Sequence, residues 1–306
     1  MAGYDSGVHL INGKYLVVAT DPCTGVPEEW FGWLLINYAA SDLALSGAKP
    51  EFCTINLLGS LSTKPATFQK IMKQTCEAAD ELRIAIVRGH TGTYGSLSDL
   101  LGVATVYGSV QPEKLITSGN AKPGDLILCT KPLGLETITN FSIIQKALAQ
   151  KLFGTTRQKK LSKQVHLQSC VKEAVQLAQI SGVHAMHDAT EGGLVAALTE
   201  IAEASGIGFR VDRQKIPINK EALALQSYFK LTDMQLLSMS STGTILAAVD
   251  AQALEKIKET LSQNGLSACF IGKFTENKDR MLINNSKEVI FPQTANDPYA
   301  MIVSGK

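Results

Sequence analysis

The sequence predicts a mixed α and β fold that is divided into two domains. Strand-like and helix-like segments alternate from one end of the 306 residues to the other, and 45% of the residues are hydrophobic, which is enough for a large core. Residues 108–124 interrupt this alternation, because they contain few large apolar side chains but two prolines and three glycines. We therefore expect one domain at 1–117 and a second at 118–306.

In the first domain, hydrophobic periodicity predicts four strands and two helices. The helix at 30–46 has apolar residues at helical spacing, and Gly47 and Pro50 end it. The glycine-rich segment 89–95 is predicted to be a loop. The predicted strands lie at 15–20, 51–58, 84–87 and 101–107, and the second helix lies at 65–82.

The second domain is predicted to repeat this alternation with longer helices. A helical region runs from 136 to 180, and Gly154 is expected to break it. The other predicted helices lie at 192–204 and 253–264, and the predicted strands lie at 125–130, 245–249 and 269–274.

The charge balance excludes several classes of protein. With 29 basic and 28 acidic residues, the net charge of +1 gives no field that favours nucleic acid or an anionic membrane. The longest apolar runs are too short to span a bilayer, and the first residues do not resemble a signal peptide. We expect a cytoplasmic protein with no nucleic-acid or membrane partner, in which the basic cluster at 157–163 is a solvated surface.

The six cysteines indicate free thiols rather than disulfides or a zinc site. They are scattered along the chain and show no Cys-x-x-Cys or Cys/His spacing, so reduced and mostly buried thiols are expected. Cys23 closely follows Asp21 in a predicted loop, but a role as a small buried hydrophobic residue is favoured.

Several acids lie at the ends of predicted elements, where side chains from different segments can meet. Asp5, Asp21 and Asp42 belong to the first domain, and Asp188 and Glu191 belong to the second. Mg²⁺ prefers oxygen ligands and holds polyphosphate through a few carboxylates and water. The acids are therefore candidate ligands of a metal-bound phosphate.

Two glycine-rich segments could bring backbone N–H groups close to phosphate oxygens. They are the predicted loop at 89–95 and the pair Gly192 and Gly193, which opens a predicted helix. The sequence contains no Walker A motif and no strand-linked GxGxxG, which excludes a P-loop or a Rossmann nucleotide site.

Each candidate also has a structural interpretation. Asp5 and Asp21 could be turn or capping residues, and His90 could be an ordinary loop histidine. Asp188 and Glu191 could form a cap with the intervening Thr190. A functional role is favoured for Asp42, because an acid on an otherwise apolar helix is costly unless it is paired or bound to metal.

Residues 41–50 and 187–194 together resemble motifs of the AIR-synthase-related superfamily, and the resemblance extends over nearly the whole chain. That group includes aminoimidazole ribonucleotide synthetase, thiamine-monophosphate kinase, selenophosphate synthetase and a hydrogenase maturation protein. Residues 187–194 and the region that follows them look most like the hydrogenase maturation branch.

The resemblance implies a two-domain α/β (α+β) protein that uses ATP and Mg²⁺ to activate a substrate oxygen by phosphoryl transfer. It further implies a homodimer, in which the N-terminal domains form a β-barrel, and a C-terminal α/β sandwich. The metal ligands would be Asp21, Asp42 and Asp188, assisted by Asp5 and Glu191. The remaining implied roles are binding of ATP by Asp5, Gly89, Thr91, Gly92, Thr93, Gly192 and Gly193, and catalysis by His90, Asp42 and Glu191.

Three departures from the family pattern leave the substrate open. No cysteine follows Asp297 and Pro298, where the hydrogenase maturation protein ends in its reactive cysteine. His90 stands where that protein and thiamine-monophosphate kinase have aspartate, although selenophosphate synthetase also has histidine there. The N-terminal segment that carries the catalytic residues of selenophosphate synthetase is not seen. We expect an ATP-dependent enzyme acting on a small-molecule or acyl substrate; the alternatives are a thiamine-monophosphate-kinase-like small-molecule kinase and a non-catalytic nucleotide-binding scaffold.

Overall fold

The computed structural model describes residues 5–305, which form two compact units. The N-terminal unit comprises residues 5–115 and the C-terminal unit comprises residues 116–305. Gly3 and Tyr4, which open the first acidic motif of the sequence, lie outside the described residues. No helix within the described range is both long and apolar enough to cross a membrane.

The N-terminal unit is an open five-stranded sheet with two helices. Its strands are β1 (Gly7–Ile11), β2 (Lys14–Cys23), β3 (Phe52–Gly59), β4 (Ala85–Thr93) and β5 (Leu101–Val110), and its helices are α1 (Phe31–Leu45) and α2 (Pro65–Leu82). The strand order is β1-β2-β5-β3-β4, with β3 and β4 parallel and the other pairs antiparallel. Because β1 and β4 are edge strands, the described strands of this unit form a mixed open sheet and not a closed barrel.

Helix α1 covers one face of this sheet and is buried along almost its whole length. Seven of its apolar positions have no more than 1% of their surface exposed, among them Leu34, Ile36 and Leu43. The helix approaches α2 closely at Gly32, where an added Cβ would lie 2.4 Å from the Ile71 carbonyl oxygen. The helix predicted at 30–46 is therefore confirmed, as is α2, which begins at Pro65.

The loop predicted at 89–95 is wrong for residues 89–93, which belong to β4. This strand pairs with β3 from Phe52↔Ala85 to Gly59↔Thr93. The glycine at 89 serves close packing between the strands, because an added Cβ would lie 3.2 Å from Cγ1 of Ile55. The glycine-rich residues 89–93 therefore form a strand that packs closely against its neighbour β3.

Two further differences concern the start of the chain. Strand β2 continues through Asp21 and Cys23, which were expected to lie beyond the strand. Strand β1 was not predicted, although Asn12 and Gly13 both have positive φ (50° and 78°) and are the residue pair typical of a two-residue hairpin turn.

The C-terminal unit is a seven-stranded mixed sheet with nine α-helices among the described residues. Its strands are β6 (Leu126–Cys129), β7 (Val183–Asp188), β8 (Gly208–Asp212), β9 (Ile245–Val249), β10 (Cys269–Thr275), β11 (Arg280–Asn284) and β12 (Lys287–Ile290). Its helices are α3 (Leu135–Ile144), α4 (Lys146–Phe153), α5 (Thr155–Leu161), α6 (Val171–Leu177), α7 (Gly193–Ser205), α8 (Lys220–Phe229), α9 (Asp233–Leu237), α10 (Leu254–Gln263) and, at the end, α11 (Tyr299–Ser304). The strand order is β12-β11-β8-β10-β6-β9-β7, with β8 and β11 parallel.

The apolar residues of this unit form two clusters. Helix α7 packs Leu194 and Leu198 into one cluster with Phe209, Phe274 and Phe291. The second cluster lies around α3 and joins it to α8 and α11. The helical region predicted at 136–180 is broken at Gly154, as expected, but it is also interrupted at several other points.

The expectation of reduced, mostly buried thiols is confirmed. None of the six cysteines forms a disulfide, and Cys23, Cys53, Cys129 and Cys170 are buried. The Cys23 thiol lies 3.7 Å from the Phe31 carbonyl oxygen, to which it can donate a hydrogen bond. Burial raises the pKa of the Cys53 thiol to about 11, so this group stays protonated and unreactive near neutral pH.

The close approach of β5 to the chain after α1 gives a first testable prediction. A Cβ added at Gly108 would lie 2.0 Å from the Lys49 carbonyl oxygen, whereas one added at Gly7 in the same sheet would lie 3.8 Å from its nearest neighbour. Gly108→Ala should therefore lower the free energy of unfolding by about 1–3 kcal/mol, since backbone must move to relieve the clash. Gly7→Ala is the control and should have little effect; urea denaturation of both variants checks this, and equal midpoints would contradict it.

Candidate functional site

In the N-terminal unit, Asp21 lies on the face of the sheet that is covered by α1, the helix that carries Asp42. Asp21 pairs with Ala104 across β2 and β5, and Ala104 and its neighbour Gly102 lie on the face that α1 covers. Asp42 is carried by α1 itself, and both carboxylates are half-buried. The alternation of side chains along a strand thus directs Asp21 toward the helix that bears Asp42.

His90 lies on the opposite face of this sheet. His90 pairs with Asn56 of β3, and Asn56 pairs with Val103 of β5. Val103 is adjacent to Ala104, the partner of Asp21, and adjacent residues of a strand point to opposite faces of the sheet. The imidazole is exposed, and its Nε2 lies 2.9 Å from the hydroxyl of Tyr94. Asp21 and His90 therefore point to different faces, and one small ion bound in this unit would not contact both.

The other predicted ligands in this unit lie on or beside edge strands. Gly89, Thr91, Gly92 and Thr93 all belong to β4, the edge strand next to β3, and Asp5 is a half-buried residue that precedes β1. An edge strand has one row of N–H and C=O groups that its own sheet does not pair. Such a row can supply the backbone donors for which the glycines were singled out.

In the C-terminal unit, Asp188 ends β7 and is 5% exposed. The Thr190 hydroxyl donates a short hydrogen bond to the Asp188 carboxylate, and the Ala189 N–H donates to the Thr244 carbonyl oxygen at 2.8 Å. These two hydrogen bonds fix the chain that follows β7. The contact between Thr190 and Asp188 is one that the capping interpretation included. Glu191 is exposed and has no hydrogen bond or ion pair within the described residues.

Beside Asp188, the buried His187 connects β7 to α7. Its Nε2 lies 2.7 Å from a carboxylate oxygen of Glu200, and its Nδ1 lies 2.9 Å from the Asp188 carbonyl oxygen. Both neighbours are acceptors, so satisfying both ring nitrogens requires the doubly protonated imidazolium. The hydrogen bond from His187 lowers the pKa of the Glu200 carboxyl from its ordinary value.

The glycine pair at the start of α7 already has protein partners for its N–H groups. The Gly192 N–H donates to the Asp297 carboxylate at 3.1 Å, and the Gly193 N–H donates to the Thr190 carbonyl oxygen at 3.0 Å. Both residues have positive φ (76° and 56°), and a Cβ at Gly193 would lie 2.6 Å from the Met239 carbonyl oxygen. Local geometry therefore requires glycine at both positions, whether or not phosphate binds there.

Asp297 is a half-buried acid that sequence reasoning did not treat as part of a site. Its carboxylate accepts hydrogen bonds from the N–H groups of Gly192, Ser240 and Tyr299, at 3.1, 3.4 and 2.9 Å. Burial raises the pKa of this carboxyl above its ordinary value, and repulsion from Glu191 acts in the same direction, while the three hydrogen bonds oppose it. The only signal in the sequence was an acid followed by proline.

Glu136, a buried acid, lies in the first turn of α3. Its Oε2 accepts hydrogen bonds from the hydroxyls of Ser240 and Thr242, at 2.6 and 2.5 Å. Ser240 therefore connects the buried carboxylate of Glu136 with the half-buried carboxylate of Asp297, since its hydroxyl binds Glu136 and its N–H binds Asp297. The run of serines and threonines at 238–244 was a signal of this polar cluster, because so many hydroxyls directly before a fully buried strand need partners.

Both units match one protein family. Residues 3–110 match the N-terminal domain of the AIR synthase related proteins, and residues 122–283 match the C-terminal domain. The chain belongs to this family, which confirms the resemblance carried by residues 41–50 and 187–194.

The chain is similar to several relatives and solved structures of this family. The chain is 27% identical over 290 residues to a putative hydrogenase expression/formation protein of Methanocaldococcus jannaschii. The matched region covers 91% of this chain and 82% of the relative. The chain is 28% identical over 248 residues to the carbamoyl dehydratase HypE of Cupriavidus necator, covering 79% and 68%. A crystal structure of the hydrogenase maturation protein HypE in complex with ATP has the same fold, with a TM-score of 0.79 at 18% identity and coverage of 95% and 88%.

The raised pKa of Asp297 gives a prediction about stability and pH. A carboxyl whose pKa is higher in the folded than in the unfolded state stabilises the fold below its unfolded pKa, and this contribution is lost as pH rises through the folded pKa. Asp297→Asn removes the titrating group. The stability of the wild-type protein should therefore fall relative to that of the variant as pH rises through this window, which denaturant unfolding at a series of pH values measures. A stability difference that does not change with pH would contradict the assignment.

Proposed function

We propose that this protein is an enzyme that uses ATP and Mg²⁺ to activate an oxygen atom of a small-molecule or acyl substrate by phosphoryl transfer. The observation that carries the proposal is that Asp21 lies on the face of the sheet that α1 covers, and that α1 carries Asp42. Family membership supports it, since one relative is named as a dehydratase and a structurally similar protein is bound to ATP.

The chemistry of these two residues fits magnesium. Both offer carboxylate oxygens, which are the ligands that Mg²⁺ prefers, and both are half-buried rather than freely solvated. Asp21 lies within a ten-residue strand, and Asp42 lies on a helix that is buried along almost its whole length, so the backbone at both positions is held by regular structure. We assign Asp21 and Asp42 as metal ligands in this unit; Asp188 and the assisting roles of Asp5 and Glu191 stay predictions from the sequence.

When bound, Mg²⁺ would neutralise charge that develops on the transferred phosphoryl group. The chain's own task is then to hold the reacting groups in place and to supply donors to the phosphate oxygens. Residues 89–93 can supply backbone donors from the outer edge of β4, and His90 can donate from the exposed face to a phosphate or substrate oxygen. Donation by Gly192 requires that its present acceptor, Asp297, be displaced first.

We further propose that two copies of the chain associate through the open face of the N-terminal sheet, which is the face opposite α1. This face presents a stacked pair, Phe52 and Tyr107, with ring centroids 5.4 Å apart, and a central pair of hydroxyls, Thr20 and Thr105, 2.9 Å apart. Phe52 is 41% exposed although aromatic residues favour burial. A second copy of this face would bury these side chains and complete a closed arrangement of strands.

The metal-binding proposal predicts that Asp42→Asn abolishes the stabilisation of the protein by ATP and Mg²⁺. The substitution removes one charge and one metal-binding oxygen but keeps the size of the side chain. At a hundred times its dissociation constant, a ligand stabilises the folded state by about 2.7 kcal/mol, which a thermal-shift titration detects readily. Asp80→Asn, a change of the same type at an exposed position in α2, should leave the shift as in the wild-type protein.

An unchanged shift in Asp42→Asn would remove the central claim. If ATP binds and no added acceptor accelerates the formation of ADP, the non-catalytic scaffold would be favoured over the enzyme.

The association proposal predicts that Thr105→Arg yields a monomer. Thr105 lies at the centre of the open face, where an arginine from each copy would place two like charges in an interface. Size-exclusion chromatography with light scattering should give the mass of a dimer for the wild-type protein and half that mass for the variant. Ser262→Arg, at an exposed position of α10, is the control and should leave the mass unchanged; a wild-type protein that is already monomeric would refute the proposal.

A further inference from the structure

The N-terminal unit contains a cleft of about 730 Å³ that the roles assigned above do not use. It lies at the end of the sheet where β2 and β3 finish and β5 begins. Three loop segments line it, residues 24–28, 60–67 and 98–100, together with Phe31 at the start of α1. We call it the hydroxyl cleft. Its volume is in the range of pockets that bind small molecules.

The lining of the hydroxyl cleft is unusually rich in hydroxyl groups. On one wall, Ser60 Oγ lies 2.9 Å from Ser62 Oγ and 3.3 Å from Thr63 Oγ1. Each hydroxyl can donate and accept, and its hydrogen rotates to suit its partner. Three such groups that converge on one wall can therefore bind the oxygens of a polar ligand in either role.

The charged side chains on the walls of the hydroxyl cleft differ in whether they have a partner of opposite charge. Glu28 is neutralised by Lys70, whose Nζ lies 3.0 Å from its carboxylate, so this acid adds little field to the cleft. Lys64, beside the three hydroxyls, is exposed and its ammonium has no hydrogen bond or ion pair within residues 5–305. Asp99, on the 98–100 segment, is held by the Ser98 hydroxyl at 2.7 Å and keeps its other oxygen as an acceptor.

This distribution selects a class of ligand. An anionic group fits the wall with Lys64 and its neighbouring hydroxyls, where phosphate oxygens would find donors. Hydroxyl groups of the same ligand fit the wall with Asp99, which can only accept hydrogen bonds when it is ionised. A purely apolar ligand would leave these groups unpaired.

We propose that the hydroxyl cleft is a binding site for a small phosphorylated molecule that also carries free hydroxyl groups. The phosphate binds Lys64 with Ser60, Ser62 and Thr63, and a hydroxyl donates to Asp99. The site is separate from Asp42, and its existence does not depend on the ATP reaction proposed above.

The test uses glycerol 3-phosphate as the probe, with inorganic phosphate and glycerol as its two halves. Isothermal titration calorimetry on the whole chain should show saturable binding of glycerol 3-phosphate, with each half at least about tenfold weaker, since a tenfold difference corresponds to one ordinary polar contact of about 1.4 kcal/mol. Amide chemical shifts at residues 60–64 and 98–100 should move when the probe binds.

Variants at the two walls separate the contributions. Lys64→Gln should weaken glycerol 3-phosphate about tenfold or more, whereas Lys73→Gln, on the exposed side of the same helix, should not. Asp99→Asn should weaken glycerol 3-phosphate but not inorganic phosphate. The proposal would be overturned if glycerol 3-phosphate showed no saturable binding to the wild-type protein, or if it bound Lys64→Gln with equal affinity. If ATP still shifted the melting temperature of Lys64→Gln in that case, only the cleft proposal would fail and the proposed ATP reaction would stand.

Discussion

The burial of α1 is the constraint on which the N-terminal unit depends. The helix is apolar on nearly every side, so it must be enclosed, and glycines allow its neighbours to come close enough. Gly32 admits α2, and Gly102 admits the side chains of Phe31 and Leu35 from α1, since a Cβ there would lie 2.9 Å from each. In such surroundings the polar side chains need partners: Asn37 donates to the Trp33 carbonyl oxygen at 3.0 Å and Ser46 to that of Leu43 at 2.6 Å. An acid retained on this helix, Asp42, therefore has a stronger claim to function than one on a solvated helix.

The C-terminal unit depends on a different constraint, which is the pairing of buried polar groups. The Ser240 hydroxyl contacts both the Glu136 carboxylate and the Thr190 carbonyl oxygen in the chain after β7. The Ser240 N–H donates to the Asp297 carboxylate, which also accepts a hydrogen bond from Gly192 at the start of α7. A buried carboxylate without such donors would cost several kcal/mol, so each of these acids fixes the segments that supply its hydrogen bonds. The chain segments around Asp188 are thereby held by acids that have no obvious motif in the sequence.

Periodicity alone predicted α1, α2 and α7, because each has a long apolar pattern and a clear stop signal. It failed for β4, where glycines suggested a loop, because only the parallel partner β3 supplies the side chain against which Gly89 must pack. It also failed for β1, whose strand is fully exposed and shows no buried face; the Asn12-Gly13 turn was the one local signal. Of the candidate site, sequence could place the acids on elements but not on faces, and the separation of Asp21 from His90 follows from strand register. The role of Asp297 could not be predicted from the sequence, because its hydrogen-bond partners Ser240 and Gly192 are 57 and 105 residues away along the chain.

The glycine pair at 192–193 shows that the N–H groups of a motif are not enough to identify a phosphate site. The acceptors within the protein that already bind those N–H groups must be known as well. The Gly192 N–H at the start of α7 does donate to an anionic group, which is the carboxylate of Asp297, whereas the Gly193 N–H donates to the Thr190 carbonyl oxygen. A phosphate that entered here would have to replace an acceptor that is tethered and already desolvated, and would have to accept the neighbouring charge of Glu191. The outer edge of β4 has no such internal competitor in its own sheet, since β3 occupies only its other side. Under the proposed function, the outer edge of β4 therefore offers phosphate donors for which its own sheet holds no acceptor, whereas the Gly192 N–H becomes available only when Asp297 is displaced.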